Sequence, residues 1–261
     1  MDKRKQIERV AENEDDRVLF ARVYDRLTGA EQKNIPGATC FLAPREQVLI
    51  KRLLPHMELN FFGGSPEAER AVCCWLPDYL DDDWLEGEDS PIAAVRATFF
   101  EKDKLTHRDF LGSLMGCGIK RETVGDIYVG EGTCDFLVTR EILPYVLDNL
   151  VSAGRTKLHV EPIPLAALAG PQFTLKEIRD TVSSLRLDSI VGSGFNMARG
   201  KASALIETGK VSLNDLPCIK PDKLLSEGDK VSARGFGKLV LTQVGGKTKK
   251  DRISVLIEKY V

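Results

Sequence analysis

The chain reads as an α+β protein in three parts. These are a mainly helical N-terminal domain with a small hairpin (1–85), a central β-α-β-β-α-β domain (86–170) and a compact helix-pair-and-strand domain (171–261). Three observations carry this. Apolar residues at helical spacing are interleaved with short strand-forming runs, so neither type dominates. The middle of the chain orders its elements as a split βαβ. A proline- and glycine-marked break at Pro162, Pro164 and Gly170-Pro171 precedes a change in charge. With 261 residues, 43% hydrophobic and 29% charged, the composition is that of ordinary globular domains and excludes wholesale disorder, collagen and coiled coil.

In the N-terminal part, Asp16 to Leu27 sets Val18, Leu19, Val23 and Leu27 on one helical face, and Ile35-Pro36-Gly37 breaks the pattern. Pro44 to Leu54 repeats it with Val48, Leu49, Leu53 and Leu54, and Pro55 ends that helix. Glu58 to Phe62 is a strand closed by Gly63-Gly64, with Ala71 to Pro77 as its hairpin partner. Asp78 to Asp89 holds seven acids in twelve residues and reads as a surface linker. A magnesium site would need carboxylates converging from different elements, so Asp81-Asp82-Asp83 reads as a solvated loop.

In the central part, Ile92 to Phe100 is a strand. Thr106 caps a helix that carries Phe110, Leu111, Leu114 and Met115 on one face and stops at Gly116 and Gly118. Strands at Asp126 to Val129 and Cys134 to Val138 flank the Gly130-Glu131-Gly132 turn. A helix from Glu141 to Val151, with Pro144 in its first turn, and a strand from Lys157 to Ile163 complete the set. This is the ferredoxin-like order that RNA-recognition folds also use. Their base-stacking aromatics are nearly absent here, with only Phe136 on one strand and Phe99-Phe100 at the end of another. The pattern therefore points to a structural or protein-docking domain.

In the C-terminal part, Ser184 to Asp188 opens a helix that turns Leu187, Ile190 and Val191 inward and Arg186 to solvent, and Gly192 to Gly194 breaks it. Asn196 is placed to cap a second helix through Arg199, Lys201, Ala202, Leu205 and Ile206, and Gly209 supplies a left-handed stop. Lys210 to Leu213 is a strand with an Asn214-Asp215 turn, and Lys230 to Gly235 is another. A final ribbon runs from Leu239 to Val244, turns at Gly245-Gly246 and returns as Ile253 to Ile257.

The net charge of −2 conceals an asymmetry: residues 171–261 carry 16 bases and 10 acids, whereas the rest carry 21 bases and 29 acids. A basic end behind an acidic body points to a polyanionic partner. No apolar run approaches the length of a membrane span, and Met1-Asp2-Lys3-Arg4-Lys5 opens no secretory signal, so a membrane is not expected. Six scattered cysteines then read as reduced thiols of a cytoplasmic protein. Cysteine and histidine spacing gives no zinc site, and no cofactor is expected. His107-Arg108-Asp109 lacks every other element of a kinase, and Asp109 is better placed to oppose a helix dipole. No serine-nucleophile elbow is present.

Ordered motifs in the last third carry a resemblance. Arg186-Leu187-Asp188, Arg199, Leu205-Ile206-Glu207-Thr208-Gly209, Val211-Ser212-Leu213-Asn214, Lys220-Pro221 and Gly228-Asp229 resemble the RNA-binding domain of ribosomal protein S-four over about 50 residues. Ala198 departs from the family's serine cap. Over nearly the whole chain, Phe61-Phe62-Gly63-Gly64, Ala68-Glu69-Arg70, His107-Arg108-Asp109, Gly118-Ile119-Lys120-Arg121, Gly125-Asp126-Ile127 and Arg234-Gly235-Phe236-Gly237 resemble the YlmH family, also called RqcP.

That resemblance implies a bacterial, non-enzymatic factor of ribosome-associated quality control. Its partners would be large-subunit ribosomal RNA, a stalled peptidyl-tRNA and the alanine-tailing factor, with no DNA. The candidate RNA-contacting residues are Arg186, Asp188, Asn196, Arg199, Lys201 and Lys210 on the helix pair and its exit, Arg234 and Lys238 beyond it, and Lys247, Lys249 and Lys250 at the ribbon turn, where Arg252 adds to the patch. Lysine and arginine neutralise phosphates, and Asp188 is expected to orient a neighbouring arginine or cap a backbone group rather than touch RNA. The competing class is an RNA-modifying enzyme of pseudouridine-synthase type, which carries its S-four domain N-terminally before a large catalytic sheet domain.

Overall fold

A computed structural model describes residues 2–170 and 173–261; Pro171, read above as a boundary marker, lies outside the described residues. The chain divides into two compact units, Met1–Pro171 and Gln172–Val261.

The first unit opens with α1 (Lys3–Val10), α2 (Glu14–Lys33), β1 (Gly37–Leu42), α3 (Pro44–Leu53), β2 (Asn60–Phe62), β3 (Ala71–Trp75) and the short α4 (Asp83–Glu86). Asn13 caps α2 by accepting the Asp16 N–H at 2.8 Å, and Asn34 closes it at φ 53°. Its buried stripe is Phe20, Val23, Leu27 and Ala30, whereas Val18 is 52% exposed. The phenylalanine buries more apolar surface than the valine and turns the helix toward itself. The expected hairpin of β2 and β3 is present, with β3 in the middle of an antiparallel sheet ordered β1-β3-β2. β1 was not expected: it carries a bulge between Ala38 and Phe41 that removes the alternation a strand normally shows.

Next come β4 (Ile92–Thr98), α5 (His107–Gly116), β5 (Val124–Val129), β6 (Thr133–Thr139), α6 (Leu143–Asn149), the paired two-residue strands β7 (Ser152–Ala153) and β8 (Thr156–Lys157), and β9 (His159–Ile163). The sheet order is β5-β6-β4-β9 with every neighbouring pair antiparallel, which is the ferredoxin-like arrangement. Thr106 and Asp109 close a capping box on α5, with the Asp109 carboxylate accepting the Thr106 N–H at 2.8 Å and its hydroxyl at 2.7 Å. His107-Arg108-Asp109 is thus a helix start.

One face of this sheet packs Val95, Phe136 and Val138 against Phe110, Leu114 and Val146 of the helices. The other face is covered as well. Ile92, Ala94 and Leu137 share a core with Phe41, Val72, Cys74 and Leu85. Beside them Arg96 pairs with buried Asp135 at 2.6 Å, and both hold the segment after β9 through the Ala167 carbonyl and the Ala169 N–H. The acidic stretch 78–89 is therefore not a linker. It contains α4, and Leu85 at 5% exposure plugs the core on both sides of residue 85.

Arg70 ties the two sheets by donating to the Phe41 carbonyl at 2.9 Å and the Val124 carbonyl at 3.0 Å, while Asp126 accepts the Glu69 and Arg70 N–H groups. A side chain on Gly125 would place Cβ 2.7 Å from Phe41 and 2.8 Å from Leu137.

The second unit comprises β10 (Leu175–Val182), α7 (Leu187–Gly194), α8 (Arg199–Glu207), β11 (Val211–Leu213), β12 (Leu216–Pro217), β13 (Lys230–Ala233), β14 (Gly237–Lys247) and β15 (Ile253–Tyr260). Its sheet runs β10-β15-β14-β13-β11-β12. The helix pair covers one face, packing Leu187, Ile190, Val191, Ala202 and Ile206 with Leu239, Leu241 and Ile257. Asn214 and Asp215 both take positive φ, 49° and 66°, as a two-residue hairpin turn of type I′ requires.

One strand had no counterpart in the sequence reading, and the breaks and cap expected around the helix pair and the ribbon differ in detail. Leu175 to Val182 forms an edge strand whose charged residues hide it from periodicity. α7 runs through Gly192 and stops at Gly194, the last residue of the expected break. Gly245-Gly246 lies within β14, because a bulge between Val244 and Lys247 absorbs the glycines and moves the turn to Thr248–Asp251. Asn196 does not cap α8, whose N-cap is Ala198 without a side-chain bond; Asn196 sits just past α7 at φ 50°, a conformation asparagine tolerates.

Replacing Gly125 by alanine is expected to cost about 1–3 kcal/mol by overpacking between the two sheets. A lower thermal midpoint of the variant in a calorimetric scan checks it.

Candidate nucleic-acid interface

The site begins with a carboxylate. Asp188 lies in the first turn of α7 with a side chain only 2% exposed. Arg186 precedes the helix in extended conformation and grips it bidentately, Nε to Oδ1 at 3.3 Å and Nη2 to Oδ2 at 3.0 Å. Arg199, the first residue of α8, donates Nε to the same Oδ2 at 3.1 Å, and the Ser189 hydroxyl donates to Oδ1 at 3.3 Å. One buried acid thus fixes two arginines from different elements and leaves the complex with a positive surplus. Burial pulls the Asp188 carboxyl upward, but the bonds from Arg186 and Arg199 outweigh it and hold the group below its ordinary range. The side chains of Arg186 and Arg199 stay 35% and 53% exposed, so their outer N–H groups face solvent.

The other candidate residues fall around this clamp. Lys201, two residues on from Arg199 in α8, sets its Nζ 5.7 Å from the ring centroid of Phe236. Phe236 in turn pairs with Phe195, and Lys259 lies 5.2 Å from that second ring. Lys210 and Arg234 are joined by the Arg234 N–H donating to the Lys210 carbonyl at 2.9 Å. Lys238 stands opposite Ser232 on β14. At the ribbon turn Lys247 is bound to Asp251 at 2.7 Å, and Lys249 and Lys250 are exposed. Asn196 lines a groove together with Arg199 and with Arg252 of the ribbon turn. Sequence reasoning placed Arg252 in the ribbon-turn patch but left Phe236 and Lys259 out of the candidate set. The signal for Phe236 was present in the Arg234-Gly235-Phe236-Gly237 motif.

The six cysteines are unpaired, and burial pushes the Cys74 thiol up to about 12, so it is inert. Among the described residues no group of acids, histidines and cysteines could hold a metal ion, and no helix is long and apolar enough to cross a membrane.

The second unit thus presents basic side chains on its helix pair, and the first unit carries a ferredoxin-like sheet. The chain belongs to the YlmH family. It is 36% identical over 224 residues to the "Ribosome-associated protein quality control protein P2" of Bacillus subtilis (strain 168), covering 85% of this chain and 86% of that protein. The family model YlmH_RBD, described as "Putative RNA-binding domain in YlmH", matches residues 89–167. The solved "Cell division protein ylmH from Streptococcus pneumoniae" aligns with a TM-score of 0.49 at 21% identity, over 60% of this chain and 95% of that one.

Asp188 contributes stability above the ordinary carboxylate range and loses it as pH falls through its lowered folded value. Asp188→Asn is expected to cost about 1–3 kcal/mol near neutrality. In urea titrations the gap between variant and wild type should narrow toward pH 3 and below.

Proposed function

We propose that the protein is a non-enzymatic, cytoplasmic RNA-binding factor of ribosome-associated quality control. Its C-terminal unit acts as an S-four-type domain on the large ribosomal subunit carrying a stalled peptidyl-tRNA, in support of alanine tailing. The observation that carries this reading is the Asp188 clamp: a buried carboxylate holding Arg186 and Arg199 with their free donors outward. Two guanidiniums fixed in this way lose little further freedom on meeting phosphates and offer bidentate geometry. The start of α8 adds backbone N–H groups that no side chain caps. The name of the Bacillus relative supports the quality-control role.

The central stretch, read from its sequence as structural or protein-docking, carries the family's RNA-binding description. Both faces of its sheet are covered. Any RNA it meets is therefore contacted by loops and edges, in contrast to the open sheet of RNA-recognition folds.

Full-length protein carrying Arg186→Ala and Arg199→Ala is expected to leave the large-subunit fraction in sucrose gradients while keeping its circular dichroism. The slope of log affinity against log salt should fall by about two, one per lost phosphate contact. Unchanged co-sedimentation of the double variant would overturn the assignment.

A further inference from the structure

The groove between the helix pair and the terminal ribbon has walls from two sources. Arg199, Asn196 and Met197 come from the helix pair, whereas Arg252 and Asp180 come from β15's approach and from β10, outside the stretch that resembles the S-four domain. The Arg252 guanidinium is anchored on Thr181 of β10, donating Nε to its hydroxyl at 3.0 Å and Nη2 to its carbonyl. Arg199 is anchored on Asp188. The groove is therefore lined by two held cations from different elements. Its volume, about 360 Å³, lies at the small end for ligand sites.

Asp180 lines the same groove and reaches α7 from β10. Its Oδ2 accepts the Ser193 hydroxyl at 2.6 Å and its Oδ1 accepts the Thr181 N–H at 2.7 Å. Each oxygen keeps a second lone pair, so an oriented carboxylate remains able to take two parallel N–H donors. A carboxylate beside two arginines would weaken a site built for phosphate alone. It suits a ligand that brings phosphate to the arginines and paired N–H donors to the acid.

We infer that this groove seats one unstacked nucleotide of RNA, phosphate between Arg199 and Arg252, with Asp180 reading a guanine. Guanine carries adjacent N1–H and N2–H donors on its pairing edge, whereas uracil has one such donor and cytosine and adenine offer an amine beside an acceptor. Met197 supplies a polarizable apolar side chain for the face of the base. Gly192 allows the chain at Met197 to approach α7, since a Cβ there would lie 3.1 Å from the Met197 carbonyl oxygen. The inference rests on the RNA-binding reading above and adds a base preference to it.

The test is fluorescence anisotropy of the full-length protein with 5′-labelled pentanucleotides of uridine carrying G, A, C or U at the centre. The wild type should bind the central-G RNA about five-fold or more tighter than the central-U RNA, the low end for a bidentate base contact. Asp180→Asn and Asp180→Glu, the second keeping the charge but moving it by one methylene, should both abolish the preference while the central-U RNA still binds. Arg252→Ala should weaken all four. Equal wild-type affinities, or a preference that survives in both Asp180 variants, would overturn the inference while leaving ribosome association and its loss in the Arg186/Arg199 double variant untouched. Failure of the wild type to co-sediment with the large subunit would instead overturn the reading beneath it.

Discussion

Asp188 is the group on which the second unit's surface depends. Two exposed arginines on neighbouring elements would ordinarily sample many rotamers and repel one another. A carboxylate buried at the base of α7 converts them into a fixed pair, and the same bonds set how α8 meets α7. The cost of burying the acid is offset by two partners and a serine hydroxyl, so the charge persists where an isolated carboxyl would neutralise. Ordering achieved during folding need not be supplied at the moment of binding.

A different economy governs the first unit. Its ferredoxin-like sheet has no free face, because the three-stranded N-terminal sheet and the segment after β9 occupy the side opposite the helices. The motif residues that mark the family in this region serve that packing. Arg70 spans two strands, Asp126 holds the loop before β3, and Gly125 admits the ring of Phe41. Asp109 closes a helix. Residues that look chemical in the sequence here hold the packing together.

Much of this was legible in advance, for reasons that can be named. The β-α-β-β-α-β order could be read because each element has its own period and its own stop, such as Thr106 before α5 and the glycines between β5 and β6. The Asn214-Asp215 turn was visible because few residues accept positive φ in succession. β1 and β10 were not visible: one is bulged and the other is an edge strand of mostly charged and exposed residues, so neither alternates. The Asp188 clamp was half legible, since Arg186 and Asp188 are two residues apart but Arg199 arrives only when α8 folds back. The groove was illegible because Thr181 and Arg252, 71 residues apart, meet only through the pairing of β10 with β15.

The bond pattern of Arg70 also bears on portability. A ferredoxin-like unit with one open face can be lifted from one protein and appended to another, because nothing else depends on it. Here the carbonyls of Phe41 and Val124 share one guanidinium, and Leu85 fills a hole lined from both sheets. Cut free at residue 86, the central part would leave Ile92, Ala94 and Leu137 bare to water and sticky toward any apolar surface. The apolar surface shared between the two sheets thus makes the first unit the piece that keeps its core covered.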